Sequence, residues 1–143
     1  SRGAAWADFV EENRAACAVI RENLARTRLA ERAAVHCMTV RSALSVPHFT
    51  QGRAYDIILL DPPYADPDIG RIMEMTADSG LVADGAIVVL EHARRFAVRE
   101  SYGRLRLLKT RCHGDTCLSL FSPAASSADS AASGDDTYTR TAA

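Results

Sequence analysis

Residues 55–64 read YDIILLDPPY, and this stretch decides what the rest of the chain can be. Four consecutive apolar residues, 57–60, predict a strand that is buried on both faces, as strands of parallel sheets are. The strand runs directly into Asp61-Pro62-Pro63-Tyr64, where each proline fixes its own φ and restricts the residue before it. The loop is therefore stiff, and it lies at the carboxyl end of a strand, where open α/β sheets bind their ligands.

The segments around this stretch alternate between strand and helix patterns. Apolar runs predict strands, and apolar residues at helical spacing predict helices. The predicted strands are 6–10, 33–38, 86–91, 104–112 and 116–121, and the predicted helices are 13–29, 39–44 and 66–80. Asp66-Pro67 is a good helix start, because a capping carboxylate precedes a proline. The order predicts an α/β fold: a largely parallel sheet covered by helices, with a C-terminal antiparallel hairpin.

The chain of 143 residues has the length of one domain, which we place at residues 1–121. Residues 122–143 are mostly Ala, Ser, Thr, Asp and Gly, and such a segment buries too little apolar surface to order itself. We therefore predict a disordered tail. No apolar run reaches the roughly 18 residues of a membrane span, and no signal-peptide pattern opens the chain. These features predict a cytoplasmic protein with no membrane partner.

The charge is nearly balanced, with 17 basic and 18 acidic residues and a net charge of −1. That balance excludes a strongly basic protein that coats nucleic acid. Locally, however, residues 94–111 hold seven basic residues against Glu100 alone, and a basic cluster is a candidate phosphate-contacting surface. The predicted RNA-binding residues are Arg94, Arg95, Arg99, Arg104 and Arg106. The alternative, a solvated strand face and loop, stays open because charge runs alone are weak evidence.

Four cysteines, residues 17, 37, 112 and 117, could form two disulfides. With no secretory signal and a core large enough to need no staples, we expect them to be reduced and structural. Zinc sites need four ligands in closely spaced pairs, and no second pair is tied to Cys112 and Cys117. We therefore predict no metal site.

The loop Asp61-Pro62-Pro63-Tyr64 carries the parts needed to methylate an exocyclic amine of a nucleobase. The lone pair of such an amine is delocalised into the ring, so the nitrogen attacks poorly. The Asp61 carboxylate and the Pro62 carbonyl can accept its two N–H groups and favour a more nucleophilic form. Tyr64 can stack on the base, an interaction worth about 1–3 kcal/mol, and positioning supplies much of the rest. The competing interpretation is an Asp that caps the next helix in a proline-stiffened turn.

The Asp-Pro-Pro-Tyr motif after a buried strand resembles the signature of amino-group methyltransferases that use S-adenosylmethionine. Residues 1–121 resemble one branch more closely, the RsmD-like methyltransferases that modify guanine N2 in small-subunit (16S) ribosomal RNA. The residues that carry this resemblance are Ser1-Arg2-Gly3-Ala4, Phe9-Val10-Glu11, Asn13-Arg14, Asp61-Pro62-Pro63-Tyr64, Val88-Val89-Leu90-Glu91 and Gly114-Asp115-Thr116. The resemblance implies a Rossmann-like class I methyltransferase sheet.

The resemblance also assigns roles to residues. It makes Asp61, Pro62, Pro63 and Tyr64 the catalytic loop. It makes Glu11 the acid that holds the cofactor ribose, and it places Thr39 near the cofactor adenine. It implies that the family's first strand and its glycine-rich loop are missing from this chain, since no Gly-x-Gly occurs in it. Because that strand lies mid-sheet in the family, we expect residues 1–121 to be a partial domain with an incomplete cofactor site.

The leading hypothesis is an S-adenosylmethionine-dependent RNA methyltransferase acting on guanine N2 of small-subunit rRNA. Its partner would be ribosomal RNA or the small-subunit particle, and we expect a monomer. One alternative is adenine-N6 methylation of DNA or RNA. A second alternative is a non-catalytic RNA-binding remnant, which would bind RNA but no cofactor.

Overall fold

The computed structural model of the protein describes residues 2–46 and 52–125. The helices are α1 (Arg14–Arg26), α2 (Val40–Ser45) and α3 (Ile69–Asp78). The strands are β1 (Ala7–Glu11), β2 (Ala33–Cys37), β3 (Tyr55–Leu60), β4 (Val82–Ala93), β5 (Ser101–Tyr102), β6 (Leu105–His113) and β7 (Thr116–Pro123). A short 3₁₀ turn, Ala30–Arg32, leads into β2. The alternation predicted from the sequence is confirmed, and β3 has the predicted bounds.

The larger sheet has five strands in the order β3-β4-β7-β6-β5. Strands β3 and β4 run parallel, with Leu60 beside Leu90, whereas β7 pairs with β4 in the antiparallel direction. Strands β6 and β7 form the predicted hairpin, whose turn places Gly114 at a φ of 57°, a conformation that glycine adopts without strain. The larger sheet is therefore mixed, with the antiparallel portion on one side.

Strands β1 and β2 form a separate parallel pair and are not hydrogen-bonded to the larger sheet. Asp8 of β1 links the two sheets, because its carboxylate accepts a short hydrogen bond from the Tyr55 hydroxyl of β3. The same carboxylate lies 2.7 Å from His36 Nε2 and accepts a 2.8 Å bond from Trp6 Nε1. Burial raises the pKa of Asp8, but the bonds from Tyr55, His36 and Trp6 outweigh it and hold the pKa below its usual value.

Helix α3 covers one face of the larger sheet and closes the core. Its apolar residues recur at helical spacing, so Ile69, Met73 and Ala77 all point to the sheet and are buried. They pack against Val88 and Leu90 of β4 and against Tyr102 and Phe121, whose rings meet edge to face at 5.6 Å. This cluster is the core of the domain.

The helix begins at Ile69, three residues later than the sequence predicted. Asp66 does not cap it. Instead the Asp66 carboxylate accepts a 2.8 Å bond from the Asp68 N–H, and the Asp66 N–H donates to the Pro63 carbonyl at 2.9 Å. These local bonds hold a turn, as Asp side chains commonly do, and they delay the helix.

The opposite face of β3 is open, so the prediction of burial on both faces is wrong. Ile58 and Leu60 pack on the core, whereas Ile57 is 65% and Leu59 is 74% exposed. β3 is an edge strand of the larger sheet, and no element among residues 2–46 and 52–125 covers this side. Leu118 of β7 is also exposed on the sheet, at 41%.

Cys112 and Cys117 form a disulfide, so the expectation that all four cysteines are reduced is wrong for this pair. The hairpin register sets the two residues directly opposite each other, with Cα atoms 4.0 Å apart, which is within the reach of a disulfide. Cys17 and Cys37 are free thiols.

The last strand extends to Pro123, two residues beyond the predicted boundary of the domain. Leu105 pairs with Pro123, and the Ala124 N–H donates to the Arg104 carbonyl at 2.8 Å. The remainder of the predicted disordered tail, residues 126–143, lies outside the described residues. In the described part of the chain, no helix is long and apolar enough to cross a membrane.

Candidate active site

The carboxyl ends of β1, β2 and β3 meet at one edge of the molecule. The side chain of Arg41, just after β2, forms a short ion pair with Asp68, which follows β3. At the opposite edge Asp8 contacts Tyr55, the first residue of β3. These two contacts join the two sheets near opposite ends of their strands, although no backbone ladder joins the sheets in the described residues. Loops that follow parallel strands at one edge are the usual place for a ligand.

Asp61 lies at this edge with its side chain exposed to solvent. No donor among residues 2–46 and 52–125 contacts its carboxylate, and none contacts the Pro62 carbonyl. Asp61 does not cap the following helix, so the competing interpretation of the motif fails. Both acceptors are open to an incoming N–H donor.

Tyr64 closes the same loop, and its hydroxyl is held while its ring stays partly accessible, with 39% of the residue exposed. The hydroxyl lies 3.1 Å from Glu91 Oε1 at the end of β4. It also makes a short hydrogen bond with the Thr116 hydroxyl at the start of β7. An aromatic face is thus presented beside the two open acceptors of Asp61 and Pro62.

Glu11 ends β1 and faces the start of α1. Its Oε1 accepts a 2.7 Å hydrogen bond from the Asn13 N–H. Asn13 caps the helix, because its side-chain oxygen accepts from the N–H groups of Ala15 at 2.9 Å and Ala16 at 3.1 Å. The helix start fixes one carboxylate oxygen and leaves the other without a described partner. Such a carboxylate suits a pair of vicinal hydroxyls.

Thr39 follows β2 and caps α2. Its hydroxyl oxygen accepts a 3.1 Å bond from the Ser42 N–H and donates to the Ser42 hydroxyl at 2.9 Å. The donor of Thr39 is therefore in use, and only acceptor capacity remains for a ligand. Glu11 and Thr39 lie at the same edge as Asp61, at the ends of successive parallel strands.

The five predicted RNA-binding arginines are not on one surface. Arg94 and Arg95 follow the carboxyl end of β4 and are exposed at the candidate site. Arg104 bonds to the carbonyls of Ala77 and Val82 at the opposite end of β4. Between residues 96 and 104 the chain crosses from one edge of the sheet to the other. Arginines that are close in sequence are therefore far apart in the structure.

The remaining two arginines lie with Arg104, away from the candidate site. Arg99 pairs with Glu74 of α3 and stacks on the Tyr102 ring at 4.3 Å. The bond to Glu74 raises the pKa of Arg99 above its usual value. Arg106 donates to the Gly103 carbonyl at 3.0 Å. Arg99 and Arg104 are used in packing contacts, whereas Arg94 and Arg95 follow β4 at the edge where β3 runs into Asp61.

Glu91 and Thr116 stand among the residues that carry the resemblance, but the sequence did not predict them as members of the site. Both lie on strands that are remote in sequence from Tyr64, and only the sheet register brings them together. The turn that holds Thr116 is itself fastened, because Arg94 Nε donates to the Gly114 carbonyl and the Arg94 N–H to the Asp115 carbonyl, each at 2.8 Å. Arg94 therefore supports the site as well as carrying charge.

The fold and this edge place the chain in a class: an α/β protein with the Rossmann-like class I methyltransferase fold. Structural similarity supports the class. SMU.776, "a putative methyltransferase complexed with SAH", aligns with a TM-score of 0.67 at 13% identity, covering 84% of this chain and 40% of that one. At that identity the likeness concerns the fold alone.

The chain belongs to the family described as Conserved hypothetical protein 95, which matches residues 1–122. A conserved hypothetical protein of Streptococcus pyogenes is 26% identical with a TM-score of 0.77, covering 86% of this chain and 74% of that one. The "Putative methyltransferase yhhF" of Escherichia coli is 25% identical with a TM-score of 0.72. The alignment covers 86% of this chain and 65% of that one. The sequence has no significant match among the curated proteins searched.

Proposed function

We propose that the protein is an S-adenosylmethionine-dependent methyltransferase that methylates the N2 amine of a guanine in small-subunit ribosomal RNA. The observation that carries the proposal is the pairing of two open acceptors, the Asp61 carboxylate and the Pro62 carbonyl, with the anchored ring of Tyr64. Methyltransferases among the structural neighbours, one of them complexed with SAH, support the reaction class and the cofactor.

The proposed reaction follows from these positions. The cofactor supplies a sulfonium methyl group. Asp61 and the Pro62 carbonyl accept the two N–H groups of the amine, which turns the nitrogen lone pair towards that methyl group. Transfer of that methyl group would form the C–N bond and break the C–S bond, and the nitrogen would release one proton to solvent. Tyr64 holds the base by stacking, and a base that is unpaired or flipped out can reach it.

Glu11 is the residue whose geometry fits a cofactor ribose. One of its carboxylate oxygens is fixed by the Asn13 N–H, which orients the group, and the other is open to a hydroxyl. Thr39, with acceptor capacity left, lies at the next strand end, where we propose that the adenine sits.

We propose that the complete sheet has a further parallel strand between β1 and β3, followed by the glycine-rich cofactor loop. The larger sheet ends at β3, and the smaller sheet contacts it through Asp8 of β1 at the start of β3 and through Arg41, after β2, beyond the end of β3. Ile57 and Leu59 would then be covered by the helix that follows the loop. The spans of 74% and 65% of the two relatives are consistent with additional elements in those proteins.

The phosphate contacts of the proposed RNA are assigned to Arg94 and Arg95, the two predicted arginines at the site. Cationic side chains beside an open base-binding loop steer and hold a polyanion, and such binding weakens as salt is raised. Adenine-N6 methylation would use the same loop, and identifying the methylated nucleoside by mass spectrometry separates the two.

The test compares Asp61→Ala with Asp56→Ala, a matched control that removes an exposed carboxylate of β3 away from the loop. The protein extended by its upstream coding sequence is given labelled S-adenosylmethionine and small-subunit rRNA. We expect Asp61→Ala to lose at least 100-fold in methyl transfer, since orienting groups commonly supply factors of that size, and Asp56→Ala to keep the activity. Retained activity in Asp61→Ala would overturn the role of the loop.

Calorimetric titration of S-adenosylmethionine tests the additional strand. We expect no binding by the 143-residue chain and binding by the extended chain. Binding by the 143-residue chain would mean that another loop replaces the glycine-rich one. If the extended chain also fails to bind the cofactor yet binds RNA, the non-catalytic RNA-binding alternative is correct.

A further inference from the structure

We infer that Glu91 and Thr116 are positioning residues that lock the Tyr64 ring in the orientation that receives the target base. The inference rests on the proposed function, because it concerns the base held by that ring. It goes beyond that function by making the ends of β4 and β7 part of substrate recognition, although neither residue belongs to the Asp-Pro-Pro-Tyr loop.

The three side chains form a chain of hydrogen bonds with only one consistent direction. A carboxylate only accepts, so the Tyr64 hydroxyl donates a 3.1 Å hydrogen bond to Glu91 Oε1. The Tyr64 oxygen is then an acceptor for the Thr116 hydroxyl, which donates to it. Both bonds end on one oxygen atom at the far end of the ring, and two anchors at the ring tip resist swinging of the side chain away from the loop.

The anchors are rigid because they belong to a sheet. Register pairs Ala93 with Thr116 and Glu91 with Leu118, so Glu91 and Thr116 are diagonal neighbours on the same face. The Arg94 bonds to Gly114 and Asp115 hold the turn, and the Cys112–Cys117 disulfide lies immediately beside Thr116. The loop residue Tyr64 is thereby tied to two paired strands and a fastened turn.

A free aromatic side chain must give up rotamer freedom before it stacks on a base, whereas an anchored one has already done so. The tether also leaves the ring partly accessible, since 39% of Tyr64 is exposed although its hydroxyl is occupied. The bonds thus hold the ring and keep it available. They contribute only through the Tyr64 hydroxyl, which makes the inference testable.

The experiment measures how the protein quenches a single-stranded RNA oligonucleotide that carries 2-aminopurine, whose fluorescence falls when it stacks on an aromatic ring. Tyr64→Ala removes the ring and sets the reference for lost stacking, about 5- to 150-fold in affinity for a stacked base. Tyr64→Phe keeps the ring and removes only the hydroxyl. We expect Tyr64→Phe, Glu91→Ala and Thr116→Val each to weaken the quenching-detected affinity about threefold.

The decisive variants combine the changes. If both residues act through the Tyr64 hydroxyl, then adding Glu91→Ala and Thr116→Val to Tyr64→Phe has no further effect. Glu91→Gln, which keeps an acceptor oxygen, is expected to restore the affinity of the parent chain. Glu100→Ala, an exposed glutamate far from the site, is the matched control and should change nothing. Melting temperatures show that all variants are folded.

Two results overturn the inference. Suppose that Glu91→Ala and Thr116→Val keep the full quenching while Tyr64→Ala loses it. The tether then has no positioning role, whereas base stacking by Tyr64, and with it the proposed function, stands. If their effects add fully to that of Tyr64→Phe, the residues act on the sheet and not through the ring. Equal quenching by Tyr64→Ala and the parent chain would instead remove base stacking from the proposed function as well.

Discussion

Strand β3 has two sides that differ in almost every respect. One edge of β3 pairs with β4, and on one face of the strand Ile58 and Leu60 pack against the core beneath α3. The other edge has no sheet neighbour among the described residues, on the opposite face Ile57 and Leu59 are exposed, and Tyr55 bonds across to Asp8 of β1. An apolar run therefore specifies a strand but not the number of partners that the strand has.

The largest effect is expected on the packed side. Phe121→Ala removes a fully buried ring that meets Tyr102 edge to face, and such a truncation costs about 3–5 kcal/mol of the free energy of unfolding. Urea unfolding followed by circular dichroism measures it. Phe121→Leu, which keeps most of the volume, should cost much less, and an equal loss in both variants would mean that Phe121 is not a core residue.

A smaller loss is expected for the contact that spans the open side. Asp8→Asn keeps the shape of the side chain but removes the charge that Tyr55, His36 and Trp6 stabilise. Hydrogen bonds to a charged group contribute about 1.5–3 kcal/mol each, and the amide retains part of them, so we expect a loss of about 2 kcal/mol. Urea unfolding at pH 7 checks this, and an unchanged midpoint would show that the two sheets are not held together at Asp8.

The same carboxylate predicts a pH dependence. Its pKa is lower in the folded protein than in the unfolded chain, so the contribution of Asp8 is fully present above about pH 4. It is lost as the pH falls through the folded-state pKa. The stability difference between the parent chain and Asp8→Asn should therefore shrink as the pH falls below about 4. A difference that grows as the pH falls further below 4 would contradict the direction of the shift.

The smallest effect is expected at the exposed apolar positions, and two neighbouring residues give the sharpest contrast. Leu59→Ser changes a residue that is 74% exposed and should alter the unfolding free energy by less than about 0.5 kcal/mol. Leu60→Ser, one position along on the packed side, should cost about 1–3 kcal/mol. Equal losses would show that the open side is covered. In the extended protein Leu59→Ser should become costly, if the additional strand and helix exist.

Much of the fold could be predicted from the sequence because local patterns determine it. The strand at residues 55–60 and the hairpin turn at Gly114 were found where the structure has them. The start of α3 was predicted three residues early, because the Asp66 side chain bonds to the Asp68 N–H and not at a helix end. Local propensity could not show which of these two uses of an aspartate would prevail.

The candidate site could be predicted only where its residues are adjacent in the sequence. The loop of Asp61 and Tyr64 stands out in the sequence, but Glu91 and Thr116 reach it through sheet register, which depends on pairings between distant segments. The same reason explains why the positions of the five arginines could not be predicted. Their clustering in residues 94–106 suggested one surface, whereas the chain crosses from one edge of the sheet to the other within that span.

The edge of β3 that no described strand pairs with affects how the folded chain behaves at high concentration. It presents a row of backbone N–H and C=O groups flanked by Ile57 and Leu59, which is the template on which other extended chains add. Natural edge strands usually carry charges or a proline that discourage such addition, whereas β3 carries one charge, at Asp56, and its last four residues carry none. At high concentration the chain is thus expected to aggregate through this strand. A molecule that pairs with β3 should prevent this aggregation.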